Sequence, residues 1–329
     1  MLIAPEDVSW RIRAGECLLL AGEEELLRSL PPGNWIGGTT SYFMAETGGV
    51  VTGDKLFVSP LPADIVDPRI ASYDAASLPG ICRDIPEDGV CFLILPGGSE
   101  VHLAFAQEAA DYDQMFRRPL MGWIAGVHLD DLGWKTAKVV DGRTGSVHAD
   151  QGIALHGRLV PGKSAHLGIV NLFKPGNGDT LTFPQVGFQV DDCYVNGRRR
   201  NFASYLREKD VDLRNPLVDV CSGSNVSFQA IDSEKSTVSL YAPVFPGAEY
   251  RVAEPVADYV DAFRSAVPQG LRTDFSCNCI LNFLHSSLEG KVTAGVTGPV
   301  TFGEIAYHLL NQTLVYLSIE EAGSSSGVF

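Results

Sequence analysis

The sequence predicts an α+β protein built from repeated β-α-β-β units, with mixed and antiparallel sheets, helices packed on them and a two-part chain. Three observations lead there. A short apolar-to-small run occurs three times, as Trp35-Ile36-Gly37-Gly38-Thr39, Trp123-Ile124-Ala125-Gly126-Val127 and Val292-Thr293-Ala294-Gly295-Val296. An apolar run of strand length precedes each copy, at Cys17–Ala21, Cys91–Leu95 and Phe275–Ile280. Another follows each copy, at Leu56–Pro60, Gly152–His156 and Leu314–Ser318. Self-similarity on this scale marks a supersecondary unit used more than once.

The first unit runs from about Glu16 to Leu61. Glu23 to Leu30 carries helix formers with one apolar face, and Pro31-Pro32-Gly33 stops it. The acidic first turn suits the helix dipole. The Gly48-Gly49 and Gly53-Asp54 pairs favour an antiparallel hairpin toward the next strand. Residues 62 to 89 hold Pro62, Pro68, Pro79 and Pro86 and read as a linker. The second unit starts at Val90. A turn at Pro96-Gly97-Gly98-Ser99 leads to a helix over Val101–Arg117, and Lys138–Gly145 forms a hairpin corner.

Residues 161 to 250 are β in character, with an Asn196-Gly197 hairpin signal and a short amphipathic helix from Asn201 to Glu208. The last unit opens with a helix near Val256–Ala266. Gly303 to Leu310 reads as a helix interrupting its final hairpin, and Gly323–Phe329 as a small-residue tail. The expected division is 1–185 and 186–329.

Composition narrows the function. With 329 residues, two domains are the prior. A net charge of −15 argues against a duplex-binding face, which needs clustered Lys and Arg; Arg198-Arg199-Arg200 sits beside a turn and reads as solvated. Seven scattered cysteines suit reduced thiols rather than a disulfide framework. Glu6 and Asp7 stand close behind Met1, so no signal peptide is expected, and no run reaches the ~18 apolar residues of a span. The expectation is a soluble cytoplasmic protein with neither nucleic acid nor membrane as a partner.

Few residues carry chemistry by themselves. Cys277 and Cys279 are too close for a zinc knuckle, and no second pair completes four ligands, so no metal or cofactor is expected. Residues two apart on a strand share a face, which makes buried packing the plain reading of both thiols. A nucleophilic Cys277 with His285 or His308 as base would need nearby positive charge, and none adjoins it in sequence. Asp130-Asp131 with His128 suits a cation or an exposed loop edge. Pro96–Ser99 lacks both the Walker Lys and the spaced Rossmann glycines. Around Trp35–Ser41, small residues beside hydroxyls either let a ligand approach the backbone or let layers pack.

Several of these pieces, in this order, resemble the FIST (F-box and intracellular signal transduction) sensory domain in both its N- and C-terminal parts. Trp35-Ile36-Gly37-Gly38-Thr39-Thr40 is similar to the family's Gly-x-Ser-Thr element. Met121–Gly126 with Asp130 resembles its second glycine element, and Tyr194-Val195-Asn196-Gly197 the start of its C-terminal part. Phe275-Ser276-Cys277, and Gly303-Glu304-Ile305 with Asn311 and Thr313, resemble its Phe-Ser-Cys and Gly-Glu-Ile elements. The chain departs from the pattern after Thr40, where the usual Glu is missing, and after Cys277, where Arg is missing. Ligand identity is therefore not carried over.

The resemblance implies a stand-alone, non-enzymatic sensory protein. It would bind a small polar metabolite such as an amino acid and signal through a separate partner protein. The expected ligand-binding residues are Thr39, Thr40, Asp130, Cys277, Asn278 and Glu304. The alternative is a hydrolase or transferase using Cys277.

Overall fold

The computed structural model of the protein describes residues 1–232 and 234–323. It is α+β, with three six-stranded sheets of one shared topology and an inserted β-rich segment. All but Gly323 of the expected tail lies outside the described residues.

Each repeat unit runs edge strand, helix, lead strand, helix, second strand, hairpin, return strand. In the first unit these are Leu2–Ile3, Pro5–Arg13, Leu18–Gly22, Glu24–Arg28, Trp35–Thr39, the hairpin Tyr42–Ala45 with Gly48–Val51, and Leu56–Pro60. In the second they are Ile65–Tyr73, Ile81–Asp84, Gly89–Pro96, Glu100–Glu108, Leu120–Ala125, Val139–Asp141 with Ser146–His148, and Gly152–Leu159. In the third they are Lys163–Asn171, Tyr259–Ala266, Phe275–Cys279, Ile280–His285, Gly298–Thr301, Glu304–Ala306 with His308–Leu310, and Thr313–Glu321. Lead and second strands are parallel in every unit, joined by a helix as parallel pairs require. Every other named pairing in the three sheets is antiparallel.

The hairpins do not stay in their own sheets. The first unit's hairpin pairs with the third unit's second strand, Met44 opposite Gly298. The second unit's hairpin pairs with the first, Val139 opposite Gly38. The third unit's pairs with the second, Glu304 opposite Trp123. This cyclic exchange completes all three sheets, and two of them draw strands from both sides of residue 185.

Strand alternation builds two kinds of core. Leu19, Ala21, Phe92, Ile94, Trp123, Phe275 and Val315 face a shared interior between the sheets. Their neighbours Leu18 and Leu20, or Leu93 and Leu95, face the helices outside. Gly38 marks how closely the sheets approach: a Cβ there would stand 2.7 Å from Ile94 and 2.9 Å from the Trp123 ring nitrogen.

Between Lys163–Asn171 and Tyr259–Ala266 lies the insertion, with one six-stranded and one three-stranded sheet and the helix Phe202–Glu208. Its Phe183, Phe202 and Tyr250 share a core with Leu93, Val101 and Phe105 of the second unit. The Asn196-Gly197 turn is present, both residues at positive φ, and Asn201 caps the helix as expected. Within the basic run, Arg199 pairs with Asp192 and Arg200 with Glu208.

Four expectations are corrected. The third copy of the repeated run is not a strand: Ala294 and Gly295 have φ of 50° and 74°, and the strand is Gly298–Thr301. Gly303–Leu310 is a hairpin, not a helix. Tyr307 at φ 65° breaks the helical path, and pairing with Leu120–Ala125 overrides the helix formers. Residues 62–89 contain the strand Ile65–Tyr73, where Pro68 is tolerated at an edge beside a bulge. The helix expected over 101–117 ends at Glu108, and short 3-10 turns follow.

Candidate functional site

The residues singled out by sequence go to three places. Thr39 fixes strand register: its hydroxyl accepts from the Lys138 amide at 2.9 Å and donates to the Lys138 carbonyl. Thr40 donates to the Val300 carbonyl at 2.8 Å and so fastens the first unit onto the third. Asp130 lies in the short 3-10 turn Leu129–Asp131 with its side chain 93% exposed, beside His128.

Cys277, Asn278 and Glu304 come together in a sealed polar network of the third unit. Glu304 is fully buried; its carboxyl accepts from the Thr313 hydroxyl at 2.9 Å, the Thr313 amide and the Thr301 hydroxyl. Those donors favour the ionised form, but complete desolvation outweighs them and pushes Glu304 up to about 8. Asn278 accepts from the Cys279 amide and from Asn282, leaving the Asn278 Nδ2 and Asn282 Oδ1 atoms without hydrogen-bond partners among the described residues. The Cys277 thiol donates to the Gly122 carbonyl at 3.4 Å, and burial raises it well above its ordinary value. A thiol so placed is held protonated, the opposite of what a nucleophile needs. Thr39, Thr40, Cys277, Asn278 and Glu304 are all at most 4% exposed.

The Pro96–Ser99 turn satisfies its own amides. Gly98 donates to His102 Nδ1, and Ser99 caps the helix by accepting from the His102 amide.

An open, polar concavity lies elsewhere, against the edge of the second unit's sheet. It has a volume of about 510 Å³ and is lined by Arg69, Arg83, Arg118, Asp84, Glu87 and His156, among others. Local sequence explains each position. The edge strand bulges opposite His156 and Arg158, with Asp67 at φ 54°, and a bulge re-aims the side chains beside it. The short helix Ile81–Asp84 buries Ile81 and Cys82, which turns Arg83 and Asp84 outward. Arg118 precedes the second strand, braced by the Cys82 carbonyl at 3.2 Å and by Gln114. Arg69 donates to the Asp84 carbonyl at 3.0 Å.

None of these three guanidiniums makes an ion pair among the described residues, and Arg83 has no hydrogen-bond partner there either. Asp67 is neutralised from outside the cavity by Arg158 at 2.6 Å. His156 lines the cavity at 1% exposure, and its Nε2 is 2.9 Å from the Tyr73 hydroxyl. That hydroxyl donates to Asp84 at 2.7 Å. Burial pushes His156 down to about 4 and raises the Tyr73 phenol, so the imidazole is neutral and the phenol keeps its proton.

A second concavity, of about 380 Å³ in the insertion, differs in one respect that matters. Its central Asp179 is already met by Lys209, Asn196 and Tyr205, so its charges are matched internally. Among the described residues no group of three or more His, Cys, Asp and Glu side chains is placed to hold a metal ion. No helix among them is long and apolar enough to cross a membrane.

Sequence reasoning missed the arginine-rimmed cavity, because its residues come from four separate segments. Two of those segments lie in the stretch read as a linker. The available signal was His156, a buried polar residue directly after the apolar run Gly152–Leu155.

Fold and cavity together define a threefold-repeat α+β protein with an arginine-rimmed polar site. The chain belongs to DUF6976, a family of unknown function, whose family model matches residues 3–320. No curated protein matches it.

Proposed function

We propose that the protein is a non-enzymatic binding protein of the FIST sensory type, taking a small polar anion into the cavity of Arg69, Arg83, Arg118 and His156. Any signal then passes to a separate partner. The observation that carries this reading is three guanidiniums without carboxylate partners among the described residues, gathered at one concavity of a chain with net charge −15. Arginine forks recognise carboxylate or phosphate through paired, charge-assisted hydrogen bonds. A concave, partly walled setting strengthens that attraction over open water.

The test is a thermal-shift and calorimetric series with phosphate, propionate, lactate and alanine on the wild type and on Arg83→Gln. Ligand at a hundredfold excess over Kd adds about 2.7 kcal/mol of stability. Arg83→Gln is expected to weaken anion binding about tenfold, the loss of one charge-assisted contact, without lowering the unliganded Tm. Absence of any anion-dependent stabilisation, or equal binding by the variant, counts against this function.

A further inference from the structure

The hydrogen bonds at the cavity floor fix which nitrogen of His156 carries the proton. The Tyr73 hydroxyl has one hydrogen and two close polar neighbours, Asp84 Oδ2 at 2.7 Å and His156 Nε2 at 2.9 Å. A carboxylate only accepts, so the phenolic hydrogen goes to Asp84. The phenolic oxygen then accepts from Nε2–H. A neutral imidazole has a single N–H, which leaves Nδ1 as a bare acceptor. Nδ1 is buried and has no hydrogen-bond partner among the described residues. An unpaired acceptor of this kind is uncommon and costly, and it lies on the ring that lines the cavity.

We propose that the cavity selects a hydroxylated small anion, a 2-hydroxy carboxylate or a similarly substituted phosphate ester. Its anionic group faces the arginines, and its hydroxyl donates to His156 Nδ1. This rests on the reading of the cavity as the anion site and adds a second point of recognition to it. A neutral hydroxyl suits the nitrogen better than an ammonium does. Three guanidiniums repel a second cation; of the lining carboxylates, Asp67 is met by Arg158 and Asp84 already accepts from Tyr73, which leaves Glu87. Tyr73 is a positioning residue here: it orients the imidazole through Nε2 and need not touch the ligand.

Two measurements test the idea. Calorimetry on the full chain compares lactate with propionate, which differ by the hydroxyl alone, and with alanine. Lactate is expected to bind about tenfold tighter than propionate, the worth of one buried hydrogen bond. In Tyr73→Phe that preference should shrink toward unity while propionate affinity holds. Nitrogen-15 NMR of the wild type reads the tautomer directly, and the proton is expected on Nε2, with the Nδ1 resonance moving on lactate binding. That measurement stands even where Tyr73→Phe fails to fold. Equal binding of lactate and propionate, tighter binding of alanine than lactate, or a proton on Nδ1 overturns the proposal and leaves the anion site standing. If neither phosphate nor any carboxylate binds, both fall.

Discussion

Glu304 of the third unit lies directly across the strand ladder from Trp123 of the second. The same Trp123 ring stacks on Phe275 of the third unit with ring centroids 5.5 Å apart. The two units are therefore joined twice, by backbone pairing and by core packing. The first and third units, and the second and first, are joined by the same kind of hairpin pairing. Exchange of this kind makes the repeats interdependent, unlike a solenoid whose repeats touch only their sequence neighbours. A fragment ending at residue 160 lacks the hairpin that extends the second sheet and the strand that receives the first unit's hairpin. Such a fragment is expected to show no cooperative urea transition by circular dichroism. Full-length Trp123→Ala should lose about 3–5 kcal/mol in the same assay.

The carboxyl of Glu304 makes stability depend on pH in a definite direction. Its folded value, near 8, lies above that of an exposed Glu, so the folded chain keeps a proton that the unfolded chain releases. The contribution is complete below about pH 4.5 and is lost as pH rises toward about 8. Glu304→Gln keeps the shape and cannot ionise. Relative to wild type, the variant should gain on the order of a few kcal/mol between pH 5 and pH 9. Urea midpoints measured at both pH values check this; a constant difference would show that Glu304 does not titrate within the fold.

How much was legible in the sequence follows from which forces acted locally. The lead strands were readable because Leu18–Gly22 and Gly89–Pro96 are buried on both faces and so continuously apolar. The Asn201 cap and the Asn196-Gly197 turn were readable because both are local chemistry. Gly303–Leu310 was misread because its partner strand lies about 180 residues earlier, and no local pattern encodes that pairing. Strand Ile65–Tyr73 was hidden by Pro68, which an edge bulge accommodates. The polar network of Cys277, Asn278 and Glu304 was reached through the family resemblance. The arginine cavity was not, since lone arginines carry no spacing to read.

Close packing at the first sheet gives a prediction with its own control. Gly38→Ala places a methyl group against Ile94 and the Trp123 ring nitrogen, at 2.7 and 2.9 Å, within a filled interior. Overpacking of that degree should cost about 1–3 kcal/mol. Gly80→Ala meets nothing within 4 Å, and φ −82° there suits any residue. It should be neutral or slightly stabilising. Chemical denaturation of the two variants side by side separates tight packing from a general dislike of losing glycine.

The thiols can be ranked by access. Cys221 is exposed, whereas Cys82, Cys91, Cys193, Cys277 and Cys279 are buried. Burial also holds the Cys277 and Cys279 thiols protonated, and protonated thiols react slowly. A thiol reagent at neutral pH should modify Cys221 first and reach Cys277 only on unfolding. Mass-mapped labelling with and without denaturant reads this out. Fast native labelling of Cys277 would revive the cysteine-dependent enzyme.

Acid should act through a different residue from Glu304 and with the opposite sign. His102 is buried between the second unit and the insertion, edge-on to Phe188 at 6.4 Å, with its Nε2 unpartnered among the described residues. Desolvation lowers it to about 4. Between about pH 6.5 and pH 4 the unfolded chain takes up a proton there that the folded chain refuses, so stability falls as pH falls through that window. His156 contributes in the same direction. His102→Gln removes one proton uptake and is expected to flatten the fall in urea midpoint between pH 6.5 and pH 4.5, without changing the opposite loss that Glu304 governs as pH rises toward about 8. An unchanged acid slope in His102→Gln would mean that His102 charges without unfolding, through local separation of the insertion from the helix Glu100–Glu108.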